Sequence, residues 1–221
     1  MVVLENLRVV LDPEEMKKHL PIRSEEQWEI AGPLIEAFHS VAGRAVYRPC
    51  FVESRGDNFI VLNGVVLTSK VLRKNAERIE RLFPYVVTIG NIVEETSRIC
   101  EILGQYYCSL IGDKVLSLVK EQLIEHLQEK FGLGELAYMS PGSLPDWPLP
   151  EQKPLFSLLG DVETAIGVKL NESCIMQPNK SVSGVLFPND ISFASCRLCT
   201  REGCPSRRAP HDKGLAAEYG V

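Results

Sequence analysis

The sequence predicts an α+β fold, a single domain with a twisted, largely antiparallel sheet flanked by helices, and three observations carry that expectation. Strand-like apolar runs and helical stripes are interspersed along the chain with no repeat period, which removes solenoids and propellers. Residues 170–186, LNESCIMQPNKSVSGVL, read as two strands joined at Pro178-Asn179, and a turn that short admits only antiparallel partners. Leu116, Val119, Leu123, Leu127 and Phe131 then recur at steps of three and four, marking a long helix over 113–131 with one apolar stripe.

In chain order, Leu7 to Leu11 reads as an edge strand. Asp12-Pro13-Glu14-Glu15 supplies a cap, a proline at the first helical position and two acids in the first turn. Ser24-Glu25-Glu26-Gln27 is a capping box ahead of Trp28, Ala31, Ile35 and Phe38, a helical pattern interrupted by Gly32-Pro33. Residues 44–53 alternate as one strand, turn at Arg55-Gly56-Asp57-Asn58 and return through 59–62 and 65–67. A basic amphipathic helix follows over 69–82, then a β-branched strand over 84–89. Cys100 and Cys108 sit in helical, apolar contexts and read as core thiols. Residues 133–154, rich in Gly, Pro and Ser, read as an ordered crossover loop anchored by Tyr138, Leu144 and Trp147; a short helix over 151–159 comes next. Residues from 214 onward have little to tie them down.

The 221 residues are 45% hydrophobic and 24% charged, an ordinary globular composition. A net charge of -5 argues against a general nucleic-acid surface, and no apolar run is long enough to span a membrane. With no leader visible, a cytoplasmic location is expected. In a reducing compartment, seven cysteines point to ligands, buried thiols or redox groups rather than disulfides.

Cys196, Cys199 and Cys204 lie in the string C-R-L-C-T-R-E-G-C-P, among Arg, Gly and Pro, with no bulk to form a core. Soft thiolates at that spacing select an iron-sulfur cluster or zinc. Arg197, Arg201, Arg207 and Arg208 would offset the negative charge of a thiolate-ligated [4Fe-4S] cluster. The expected metal set is Cys196, Cys199, Cys204 and Cys174, with His211 as the other candidate for the fourth ligand and Cys50 behind them.

Ser140-Pro141-Gly142, the 155–159 segment LFSLL, Gly167 to Leu170, Glu172-Ser173 and above all Ser181-Val182-Ser183-Gly184 resemble the activation (reactivation) domain of cobalamin-dependent methionine synthase, in a freestanding form with a C-terminal cysteine cluster. The resemblance implies a helmet-shaped domain over 1–212. It divides into a helix-rich part (1–132), an adenosylmethionine- and corrinoid-facing part (133–192), a cysteine loop (193–212) and a tail (213–221). It also implies docking on a corrinoid-binding protein or on the cobalamin-binding domain of a methyltransferase, with S-adenosylmethionine as methyl donor. Cobalamin would be reached through that partner, with no role for nucleic acid or membrane.

Carried over residue by residue, the ligand-facing positions are Glu121, Tyr138, Ser140, Pro141, Gly142, Lys180, Ser181, Ser183 and Gly184. Tyr138 and Ser143 stand where the family has Arg and Tyr, and a tyrosine cannot make the bidentate bond that a guanidinium offers a carboxylate. The function expected is that of an auxiliary protein supporting reductive reactivation of cobalamin, with the cysteine loop as an electron carrier. The alternatives are a non-catalytic interaction module with a structural zinc, or an S-adenosylmethionine-binding sensor. No Walker loop, G-x-G-x-x-G, H-E-x-x-H or G-x-S-x-G is present, and no catalytic residue is assigned.

Overall fold

The centre of the molecule is one strand, β6 (Arg81–Thr88), buried along almost its whole length because both faces are covered. Its alternate side chains diverge as strand geometry requires. Phe83, Tyr85 and Val87 enter one core cluster, and Leu82 and Val86 enter clusters on the other side. The computed structural model describes residues 1–189, 193–204 and 207–221.

One flank of β6 is shared by two strands. β2 (Ala42–Tyr47) pairs with its C-terminal half and β3 (Cys50–Arg55) with its start, both antiparallel. The single strand expected over 44–53 is therefore two: proline at position 49 has no N–H for the ladder, and the chain leaves β6 and rejoins it there. β2 continues to the edge strand β1 (Val2–Arg8), and β3 continues to β4 (Phe59–Leu62) and β5 (Val65–Thr68). The sheet thus forks beyond β6. On the opposite flank β10 (Ser181–Pro188) pairs with β6 and with β7 (Leu136–Met139). Every pairing is antiparallel, as the fold class requires.

Helix α1 (Pro13–His19) starts at Asp12, whose side chain accepts from the Glu14 amide, and α2 (Glu25–Phe38) starts at Ser24, which accepts from Gln27. Such caps contribute about 1 kcal/mol each. α2 runs through Pro33 without the expected break, because Ala31, Ile35 and Phe38 bury on the same face around it. α3 (Lys70–Asn75) is shorter than expected, since Leu82 belongs to β6. After α4 (Ile92–Ser97) comes α5 (Ile102–Phe131), 30 residues or about 45 Å long. It begins eleven residues before the apolar stripe suggested and absorbs Cys108, and it stops at Gly132, which takes the left-handed conformation at φ 62°.

α5 and α2 cover one face of the sheet, with Val115, Val119, Leu123 and Leu127 fully buried. α6 (Gln152–Leu159) and α7 (Val162–Ile166) cover the other. The small pair β8 (Lys169–Leu170) and β9 (Met176–Gln177) form their own ladder. The Pro178-Asn179 turn therefore joins two sheets, not two partners of one hairpin as expected. The chain ends in α8 (Lys213–Tyr219), which is anchored after all: the Tyr219 hydroxyl donates to Asn75 Oδ1 at 3.1 Å, and Lys74 pairs with Glu218 at 2.8 Å. No helix among the described residues is long and apolar enough to cross a membrane.

Candidate functional site

Beside its buried stripe, α5 turns Asp113, Leu116, Ser117, Lys120 and Glu121 toward the free side of β7 and β10, a second stripe at helical spacing. Tyr138 of β7 and Val182 of β10 form the opposite wall, and Arg207 and Arg208 close the end. Together they bound an open cleft of about 550 Å³.

Two cations lie against the Tyr138 ring. Lys120 Nζ lies 3.8 Å from its ring centroid and the Arg208 guanidinium carbon 3.9 Å. Burial, and then the charge of Arg208, bring Lys120 down to about 8, while Glu121 works in the opposite direction. Tyr138 is pushed up, first by burial, with Arg208 opposing. Glu121 is exposed and, among the described residues, its carboxylate accepts a single bond, from Ser117 Oγ at 3.3 Å. Tyr85 is fully buried, and its hydroxyl has no hydrogen-bond partner among the described residues. The Ser140 hydroxyl lies close to it but outside bonding geometry; burial, followed by Tyr138, raises the Tyr85 ionisation far above the usual range.

Comparison with known proteins bears on this region directly. Residues 139–198 match the family model described as "Vitamin B12 dependent methionine synthase, activation domain". Among solved structures, the one titled "Crystal Structure of the MetH Reactivation Domain bound to AdoHcy" aligns with TM-score 0.60 at 17% identity, over 88% of this chain and 81% of that one. No curated protein matches the chain. The resemblance to the activation-domain family is therefore shown over residues 139–198, and a common fold over most of the chain.

Within the segment matched to the activation domain, most of the expected ligand-facing residues hold the fold. Lys180 donates to Asp113 Oδ1 at 2.6 Å and to Ser109 Oγ at 3.0 Å, tying β10 to α5. Ser181 Oγ bonds Thr88 Oγ1 and the Pro178 carbonyl, and Ser183 Oγ donates to the buried Gln152 Oε1 at 2.6 Å. Gly184 sits where a Cβ would run into the Met139 carbonyl and lie 2.9 Å from Ser140 Oγ. Ser140, Pro141 and Gly142 make a turn closed by the Gly142 amide on the Trp147 carbonyl at 2.7 Å. Of the nine positions carried over, only Glu121 and Tyr138 line the cleft. Arg207 and Arg208 were legible only as counter-charges for a cluster, and Lys120 was missed, a lysine of the helix with no motif around it.

The expected metal set, Cys196, Cys199 and Cys204 with Cys174 or His211, is not brought together among the described residues. Among the described residues no three or more His, Cys, Asp or Glu side chains come together as a metal site. Cys174 is buried in the turn between β8 and β9 in a left-handed conformation, and Cys199 packs against the core cluster under α3 and α8. His211 Nε2 is buried with no hydrogen-bond partner among the described residues. The organiser of the loop is Arg207, whose guanidinium donates to the carbonyls of Cys196, Cys199, Arg201 and Ala209. Among the described residues it is this cation, bonding to carbonyls, that holds the loop together. Pro205 of the cysteine motif lies outside the described residues.

Proposed function

We propose that the protein supports reductive reactivation of cobalamin in a methionine synthase-type methyl transfer system. It would do so by docking on a corrinoid-binding protein or on the cobalamin-binding domain of a methyltransferase. The observation that carries this reading is the place of the family match: residues 139–198 include β10, which bridges β6 to β7 and lends Val182 to the cleft. In this reading 1–132 is the supporting shell, 133–192 faces ligand and corrinoid, and the 193–212 loop closes the cleft.

The cleft residues fit one end of S-adenosylmethionine. Glu121, exposed and bonded only by Ser117, suits an ammonium group, and the apolar Leu116 and Val182 suit the ligand's hydrocarbon. Bound there, S-adenosylmethionine would supply a methyl group, with the redox chemistry belonging to the partner's cobalamin. This chain's task is to bind, orient and shield. The electron is assigned to an external donor, since among the described residues no cluster of metal-ligating side chains is gathered.

The test uses a cobalamin-dependent methionine synthase deprived of its own activation domain and trapped as cob(II)alamin. With S-adenosylmethionine and a reducing system, adding this protein is expected to restore the methylcobalamin absorption spectrum. No recovery above the protein-free control would overturn the reading.

A further inference from the structure

Lys120 and Arg208 lie within 4 Å of one ring, and among the described residues neither forms an ion pair. Two cations that repel each other in a partly buried position are stabilised when an anion joins them, since the interaction strengthens as water is excluded. The geometry resists an internal solution. Asp113 is bound to Lys180, and Glu121 bonds to Ser117. Arg207 serves the loop carbonyls, so Arg208 is the guanidinium left facing the cleft.

We propose that Lys120 and Arg208 form a clamp for a small oxyanion, the carboxylate of an amino-acid-bearing ligand, with Arg208 delivered to the cleft by the C-terminal cysteine loop. The loop's role is then positional. By gathering the carbonyls of Cys196 and Cys199 around Arg207, it fixes the backbone from which Arg208 reaches Tyr138. A guanidinium donates two parallel bonds to a carboxylate and Lys120 adds a third charged donor, while the Tyr138 ring holds both cations in place. A phosphate shares this chemistry, and the experiment separates the two sources.

The proposal deepens the function given above by naming the ligand group, yet it fails separately. Isothermal titration of the full chain would use S-adenosylhomocysteine, 5′-methylthioadenosine, which lacks the carboxylate, and inorganic phosphate. S-adenosylhomocysteine is expected to bind at least about tenfold more tightly than 5′-methylthioadenosine. Arg208→Ala and Lys120→Met should each remove about tenfold of that preference without altering 5′-methylthioadenosine binding, and neither variant should melt below the unmodified protein. Binding of phosphate alone, lost in Arg208→Ala, keeps the oxyanion clamp but rejects S-adenosylmethionine as its ligand. Unchanged affinities in both variants, or no binding of either anion at millimolar concentration, would overturn the clamp and leave corrinoid docking to its own test.

Discussion

Lys120 is the residue whose chemistry differs most from what its neighbours in sequence suggest. Burial and Arg208 bring its ammonium down to about 8, against Glu121, so below that pH it is charged and ready for an anion. Oxyanion affinity should therefore be level up to about pH 8 and fall above it, a dependence that titrations at several pH values would show and that Lys120→Met should abolish. The same depression shapes stability. Between about 8 and the ordinary lysine value of 10.5, the unfolded chain binds the proton that the folded chain gives up, so folding stability gains from this group as pH rises through that window. Such a position is hard to see in a sequence. Lys120-Glu121 reads as an ordinary charged pair on a helix, and only the return of Arg208 from 88 residues downstream makes it a site.

At the scale of elements, the motif Ser181-Val182-Ser183-Gly184 shows what the resemblance did and did not encode. It was readable as a family signature, and its physical content is packing: Ser183 satisfies a buried glutamine, and Gly184 lets β7 approach β10. Gly184→Ala should cost about 1–3 kcal/mol in urea unfolding, because the added methyl meets backbone that cannot retreat. A stability equal to the unmodified protein would show that β7 is free to shift. Capped helices were legible where Asp12 and Ser24 announce themselves locally, whereas Asp212 became visible as the cap of α8 only in three dimensions. β7 was not legible. Four residues inside a Gly- and Pro-rich stretch carry no period, and their strand exists only because β10 offers a partner. The start of α5 was missed for a related reason: Ile102, Leu103 and Tyr106 face outward there, so the inward stripe is blurred.

For the whole molecule, the fold class was legible from patterning and the likeness to the activation domain from the 139–198 segment, while the arginine at the centre of the cysteine loop was not. Three cysteines within nine residues have ligand spacing, but spacing says nothing of whether a nearby arginine will take the centre. The account that results is a helix-backed, forked antiparallel sheet whose open cleft is closed by a C-terminal loop, with the proposed role of a shell for a cobalamin-bearing partner. Sedimentation velocity of this protein mixed with an isolated cobalamin-binding domain of methionine synthase tests that claim most directly. The account predicts a one-to-one complex that carries the cobalamin absorbance with it. Two independently sedimenting species at concentrations of about 100 μM would contradict it.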